Sequence, residues 1–144
     1  MAENNWRIIT DTQRVLAFYN SIMHLSESAD MSAIGLERRG ALVAGVVYQG
    51  FNGRNIWAHI AAIPGKQWLN RAFLPACFAY PFSQCGVDRI SLTVEDCNTA
   101  SMRFVEHMGF RRETQITGAS ADGGDTLVYV MRKSDCRFIG KETT

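Results

Sequence analysis

A thirteen-residue segment, 98–110, constrains the fold of this chain more than any other part of the sequence. It reads Asn-Thr-Ala-Ser-Met-Arg-Phe-Val-Glu-His-Met-Gly-Phe. Asn98 suits a helix N-cap, because its side-chain oxygen accepts an unpaired N–H group of the first turn. Gly109 suits the left-handed position that commonly ends a helix. Since residues 89–95 are rich in strand-forming side chains, the segment predicts a strand, a short loop, a helix and a further strand.

The size and composition of the chain fit a single folded domain. Its 144 residues would bury roughly 70% of the unfolded surface. Apolar residues at 47% and charged residues at 20% are typical of globular rather than disordered proteins. We expect one domain over residues 1–140 and a flexible tail over 141–144. No run of about 18 apolar residues indicates a membrane span, and residues 1–5 do not resemble a signal peptide, so we expect a cytoplasmic protein.

The charge and cysteine content exclude several kinds of partner. A net charge of +1 gives no reason to expect nucleic acid or an anionic membrane. The four cysteines lack metal-ligand spacing, so we expect reduced thiols and no metal site. A group of basic residues is interpreted as solvated strand and helix faces, with a polyanion site as the alternative; its members are Arg103, Arg111, Arg112, Arg132, Lys133 and Arg137.

The first half of the chain predicts a strand, a helix and an antiparallel meander. Residues 6–10 form the strand, and Thr10-Asp11 is a capping pair for a helix that runs to about His24. The apolar residues of this helix recur at helical spacing and should face the core: Val15, Leu16, Phe18, Tyr19, Ile22 and Met23. Three strands follow, over 33–38, 41–48 and 55–63, joined by turns at Arg39-Gly40 and Asn52-Gly53.

The second half predicts two helices, one strand and a closing hairpin. Residues 67–83 form an apolar helix, in which Pro75 predicts a kink or a short break. The strand 89–95 and the helix after Asn98 follow, and 110–117 and 126–132 form the hairpin. The fold class is therefore mixed α/β (α+β). It consists of one central mixed sheet, an antiparallel meander followed by β-α-β-α-β-β, with helices on both faces.

This element order and the segment 98–110 together resemble the acyl-coenzyme A binding half of the GNAT-type N-acetyltransferase superfamily. The superfamily pattern is Asn, a small residue three positions later, and Gly-Phe eleven and twelve positions later. Asn98, Ser101 and Gly109-Phe110 match it. The resemblance covers about residues 30–139 in strand order. It implies that the third meander strand diverges from the strand after the next helix, and that acetyl-coenzyme A (acetyl-CoA), the cosubstrate, lies between them.

The resemblance also implies a pyrophosphate-binding loop before the helix that follows the meander. A helix N-terminus favours phosphate, because it gathers unpaired N–H groups and partial positive charge. The family pattern is Gln or Arg, two residues, Gly, one residue, then Gly or Ala; the segment 67–72 reads Gln-Trp-Leu-Asn-Arg-Ala. Asn70 replaces the middle Gly, so a capped core helix with a polar rim is the alternative. The cofactor-binding set implied is Ala62, Ile63, Lys66, Gln67, Trp68, Asn70, Arg71, Ala72, Asn98, Ser101 and Phe104.

Three residues are candidates for the chemistry. Acetyl transfer to an amine needs a base for the amine and a proton for the leaving thiolate. His59 on the third meander strand suits a base near neutral pH, and Glu95 at the end of the next strand is the second candidate. For both, a structural or surface role is the alternative. Many family members carry a Tyr where this chain has Val105, and the resemblance implies that Ser101 contacts the cofactor or solvates the thiolate.

Two functions from different classes stay open at this point. The first is an N-acyltransferase that moves acetyl from acetyl-CoA to a primary amine of a small molecule or protein by direct attack. The second is a catalytically inactive GNAT-fold binding or structural protein, which Asn70 and Val105 favour. Segments 68–73, 80–82 and 131–137 resemble a phage- or prophage-borne subgroup, so the second function would be that of a phage accessory or virion-associated protein. A homodimer fits either function, because the closing hairpin leaves sheet edges that need cover.

Overall fold

The structure is a computed structural model that describes residues 5–65 and 71–140. The strands and helices in these ranges follow one another as β1 (Trp6–Ile9), α1 (Thr12–Asn20), β2 (Ser32–Arg38), β3 (Ala41–Gln49), β4 (Asn55–Ala62), α2 (Phe73–Ala79), β5 (Arg89–Glu95), α3 (Thr99–Met108), β6 (Arg111–Ile116) and β7 (Thr126–Arg132). A π-helical turn, Tyr80–Gln84, follows α2, and a 3-10 turn, Lys133–Asp135, follows β7.

The strands form one mixed sheet in the order β1-β2-β3-β4-β5-β7-β6. The meander β1 to β4 is antiparallel, β4 and β5 are parallel, and β7 runs antiparallel to both β5 and β6. Helix α1 covers one face, where Val15 packs in a cluster with Val47 and Ala61. Helices α2 and α3 cover the other face, which holds the larger core cluster. The predicted fold class, with helices on both faces, is confirmed.

Side-chain caps start α1 and α3 where the sequence predicts them. The backbone N–H of Arg14 donates to Asp11 Oδ1 at 3.2 Å, and the N–H of Ser101 donates to Asn98 Oδ1 at 3.1 Å. Gly109 ends α3 in the left-handed region, with φ of 114°, which a residue without Cβ adopts at little cost. These caps fix where each helix meets the sheet.

The end of α1 differs from the prediction. The helix stops at Asn20 rather than near His24, and the amide of Asn20 bonds both backbone groups of Leu25, accepting from its N–H at 2.7 Å and donating to its C=O at 3.1 Å. Such a side chain offers the backbone an alternative to further helical bonds. Ile22 and Met23, predicted to face the core, are therefore 44% and 48% exposed, and that part of the prediction is wrong.

The predicted helix over 67–83 is described only from Arg71 onward. Its described portion, α2, begins at Phe73, so Pro75 lies in the first turn, where its missing N–H group costs no helical hydrogen bond. The departure from α geometry comes instead at Tyr80–Gln84, where the N–H of Cys85 bonds the C=O of Tyr80. The predicted tail, 141–144, lies outside the described residues. Within 5–65 and 71–140, none of the helices is long and apolar enough to cross a membrane.

Candidate active site

A gap opens in the sheet between β4 and β5. In the described chain their register comprises three pairs, Asn55 with Arg89, Ile56 with Ile90 and Trp57 with Ser91. Beyond them β4 stays paired with β3 as far as Ala62, and β5 stays paired with β7 as far as Glu95. Each strand thus follows its outer neighbour, and the two diverge as the resemblance to the superfamily implies.

A polar network holds the paired end of these two strands together. Ser91 Oγ donates to Asn55 Oδ1 at 2.5 Å, and Arg89 Nε donates to the same oxygen at 3.2 Å. Arg89 also makes a two-pronged contact with Glu113 on β6, at 3.0 and 2.6 Å. Bidentate Arg–carboxylate pairs are geometrically specific, and the Arg89 guanidinium lowers the pKa of Glu113. The network therefore anchors β4, β5 and β6 at the closed end of the gap.

The gap widens into an open cleft of about 700 Å³. We call it the cleft and define it by residues 58–65 of β4 and its extension and 92–95 of β5, together with the surfaces of α3, α1 and the β6–β7 loop that border them. Pockets of this size commonly hold small ligands and cofactors. The cleft is therefore the candidate active site.

The alternation of strand side chains gives the cleft two sides. Ala58 of β4 and Leu92 of β5 belong to the core under α2 and α3, whereas Ala61 belongs to the core under α1. Because side chains alternate along a strand, His59 and Glu95 lie on the α1 side. We call the part of the cleft bordered by α3 the α3 mouth and the part bordered by α1 the α1 mouth. The two candidate bases thus share one mouth.

His59 is the most unusual side chain of the cleft. Its Nε2 atom is buried and has no hydrogen-bond partner among the described residues, and its ring meets that of Tyr19 edge-on, with centroids 6.2 Å apart. Burial disfavours the imidazolium, so desolvation lowers the pKa of His59 below its usual 6.5. A neutral imidazole that lines a cleft and has a ring nitrogen without a partner can accept a proton.

The fold is shared with known acetyltransferases. No protein-family model and no curated protein matches the sequence. Solved structures of the Vibrio cholerae spermidine N-acetyltransferase do match: a dodecameric form has a TM-score of 0.73 and 16% identity, over 90% of this chain and 95% of that one. Its complex with manganese ions also has a TM-score of 0.73 and 16% identity, over 93% of this chain and 96% of that one. The chain has the GNAT fold. At this identity the likeness establishes the fold alone.

Within the GNAT fold, five of the residues predicted to bind the cofactor come together. Ala62, Ile63, Asn98, Ser101 and Phe104 all line the cleft, the last three at the α3 mouth. They come from β4, its extension and the first two turns of α3. The fold therefore brings together residues from two separate parts of the chain along one cleft, and their assignment to the cofactor stays a prediction.

The predicted pyrophosphate loop is described only at its end. Lys66, Gln67, Trp68 and Asn70 lie outside the described residues. Arg71 and Ala72 are exposed and directly precede α2, and neither borders the cleft. Their assignment to the cofactor stays a prediction.

The sequence did not single out several residues of the α1 mouth. Tyr19, Met23 and Leu25 line it from α1 and the segment that follows, and Ser120 and Thr126 line it from the hairpin. The helical periodicity of α1 marks Tyr19 and Met23 as apolar-face positions, but that signal does not separate a core contact from a cleft wall. Ser120 lies in a loop whose sequence carries no functional pattern.

Two of the basic side chains outside the cleft, Arg112 and Arg137, have structural surroundings. Arg137 donates to the C=O groups of Met108 and His107 at 2.8 and 2.9 Å and so caps the C-terminus of α3. Arg112 lies over the ring of Tyr129. Over residues 5–65 and 71–140, no group of three or more His, Cys, Asp or Glu side chains is placed to hold a metal ion.

Proposed function

We propose that the protein is an N-acyltransferase that moves the acetyl group of acetyl-CoA to a primary amine by direct attack in the cleft. One observation carries the proposal: β4 and β5 diverge over a cleft lined by His59, whose Nε2 atom is buried and has no hydrogen-bond partner among the described residues. The GNAT fold of the chain supports it. The cosubstrate would enter by the α3 mouth, and the amine by the α1 mouth.

The reaction would conserve atoms and charge, with a defined destination for each proton of the amine. The acceptor arrives as an ammonium and gives one proton to His59, which desolvation keeps neutral at pH 7. The amine nitrogen attacks the thioester carbon, a C–N bond forms, and the C–S bond breaks. The second proton leaves the nitrogen and ends on the thiolate of coenzyme A. The products are an amide, free coenzyme A and one proton released to solvent through His59.

Glu95 and Ser101 would support these steps from opposite sides. Glu95 lies on the same sheet face as His59 and would attract the ammonium before it loses its proton. Ser101 borders the α3 mouth, and its hydroxyl would solvate the departing thiolate. Val105 is buried and has no proton to offer, so Ser101 stands in for the Tyr of other family members.

The structural neighbours are spermidine N-acetyltransferases, and spermidine is a polyamine, which supports an amine acceptor for this fold. The cytoplasmic location, the single domain and the homodimer stay predictions. The alternative of a catalytically inactive phage or virion-associated protein also stays a prediction, and it rests on Asn70 and Val105.

The test is titration calorimetry with acetyl-CoA, together with an assay of thiol release in the presence of a mixture of primary amines. We expect acetyl-CoA to bind with a dissociation constant in the micromolar to submillimolar range, and we expect thiol release that depends on the amine. His59→Gln should keep the binding and lose most of the release, since a positioned base contributes about 100-fold or more. Asn98→Asp keeps a capping oxygen and therefore separates a contact with the cosubstrate from a loss of α3.

The outcome that would overturn the proposal is a folded wild-type protein that gives no heat at hundreds of micromolar acetyl-CoA. Equal thiol release by wild type and His59→Gln would remove His59 from the mechanism and leave Glu95 as the candidate base.

A further inference from the structure

The α1 mouth is poor in negative charge. Among the described residues that line the cleft, Glu95 is the one carboxylate. An ammonium group that leaves water needs a paired carboxylate or several hydrogen-bond acceptors. The mouth therefore offers charge compensation for one ammonium.

The neighbouring carboxylates belong to the loops next to the cleft and do not line it. Asp96 Oδ2 accepts from the N–H of Asp125 at 3.1 Å, and Asp122 Oδ1 accepts from the N–H of Gly124 at 2.9 Å. Asp125 itself accepts from the N–H of Gly118 at 2.9 Å. None of the three aspartates lines the cleft. They shape the β6–β7 loop instead.

The α1 side of the mouth presents apolar side chains, and the same lining also includes the polar residues His24, Thr93, Ser120 and Thr126. Met23 is about half exposed on its rim, Leu25 is held beside it by the two bonds to Asn20, and Tyr19 forms its inner wall. An exposed thioether next to a cleft is typical of a surface that binds apolar groups, because Met adapts its shape to the ligand. The inner wall also carries the neutral ring of His59, which does not repel an ammonium.

We infer that the acceptor is a primary amine whose single positive charge is the reacting ammonium and whose body is apolar, the class of arylalkyl- and alkylamines, and not a polyamine. The inference rests on the proposed function and names its substrate class. Glu95 receives the ammonium, and the apolar body lies against Met23, Leu25 and Tyr19. A polyamine would place its further charges against these same apolar side chains, without carboxylates to pair them.

The first experiment compares acceptors with acetyl-CoA at saturation. We expect kcat/KM for phenethylamine to exceed that for spermidine by roughly tenfold or more, the range that apolar contacts supply in a pocket. Met23→Glu adds a second carboxylate to the rim and should shift the ratio toward spermidine. Ile22→Glu is the matched control: Ile22 is as exposed as Met23 but does not line the cleft, so the ratio should stay unchanged. A wild-type preference for spermidine or for a peptide N-terminus overturns the inference.

The second experiment needs no catalysis. Methionine methyl resonances, with that of Met23 assigned through Met23→Leu, are followed during titration with phenethylamine or spermidine alone. We expect a saturable shift of the Met23 methyl with phenethylamine and none with spermidine at the same concentration. If acetyl-CoA does not bind but this shift occurs, the proposed function fails and the inference stands. If acetyl-CoA reacts and spermidine causes the shift, only the inference fails. The absence of a shift with either amine overturns it as well.

Discussion

Ser91 on β5 donates its hydroxyl to Asn55 Oδ1 on β4 at 2.5 Å, at the end of the sheet where these strands still pair. Ser91 is 2% exposed, and Arg89 donates to both the same Asn55 oxygen and to Ser91 Oγ. Three backbone pairs alone would hold the closed end of the cleft weakly. The side-chain bond adds a fixed point from which the two strands diverge.

Ser91→Ala tests the contribution of that bond. Ala adds no volume at this buried position, and it removes the hydroxyl that bonds Asn55 Oδ1 and accepts from Arg89. We expect a loss of about 1–2 kcal/mol in the free energy of unfolding, measured by urea denaturation, and weaker binding of acetyl-CoA. Thr114→Val on the exposed edge strand β6 is the control and should change stability by less than about 0.5 kcal/mol. Equal stabilities for the two variants would contradict a role for the bond.

Arg14→Met should lower the free energy of unfolding, because it removes the α1 partner of the buried carboxylate of Glu37. Glu37 on β2 is 5% exposed, and Arg14 Nη1 donates to it at 2.6 Å. Removing one partner of a buried ion pair leaves an uncompensated charge and costs about 3–5 kcal/mol. Since Arg14 is itself partly exposed, solvent screens the pair, and we expect roughly 1–3 kcal/mol.

Arg7→Met is the matched control for that change. Arg7 approaches the other oxygen of Glu37 at 3.6 Å, but its side chain is mostly exposed. An exposed pair of this kind contributes about 0–1 kcal/mol. Thermal or urea unfolding of the two variants should therefore separate them clearly. A larger loss for Arg7→Met than for Arg14→Met would contradict the assignment of Arg14 as the main partner.

The elements could be predicted because their signals are local. The turns at Arg39-Gly40 and Asn52-Gly53 and the caps at Asp11 and Asn98 act within a few residues, and each appears where the sequence places it. The end of α1 could not be predicted in this way. The bonds from Asn20 to Leu25 compete with helical bonds at similar energies, and apolar spacing continues past the point where the helix stops.

Of the two mouths of the cleft, only the α3 mouth could be predicted from a sequence pattern. The pattern from Asn98 to Gly109 brings Ser101 and Phe104 to the cleft, because a single helix carries all of them. The α1 mouth is assembled from α1, β5 and a hairpin loop, so Met23 and Ser120 become neighbours of the cleft only through the packing of distant segments. His59 could be named as a candidate, but its unpartnered Nε2 depends on what surrounds the strand and is absent from any sequence pattern.

Gly45→Ala should weaken the contact that positions α1 on the sheet. A Cβ atom at residue 45 would lie 2.8 Å from Val15 Cγ1, and Val15 is fully buried, so the helix or the strand must shift. Such overpacking costs about 1–3 kcal/mol. Val15→Ala in the same chain should relieve the clash, so the double variant should lose less than the sum of the single ones. Gly140→Ala, where a Cβ would meet open space, should leave stability nearly unchanged. Additive losses would show that the clash is absent.

The stability of the protein should fall at acid pH through His59, whether or not the residue is catalytic. Desolvation lowers its pKa in the folded state below the usual 6.5. Between these two values the unfolded chain binds a proton at His59 that the folded protein does not bind, so the free energy of unfolding decreases as the pH falls through this window. Below the folded-state pKa both states are protonated, and the loss stops growing.

Urea midpoints of wild type and His59→Gln from neutral pH to about pH 5 measure the effect, and His107→Gln on α3 controls for the removal of an imidazole. The advantage of wild type over His59→Gln should shrink as the pH falls below 6.5. The value of kcat/KM for the amine should decline only at lower pH, as the pH falls through the folded-state pKa of His59, because the protonated ring no longer accepts a proton. A constant difference in midpoint across the range would mean that His59 titrates as it does in the unfolded chain.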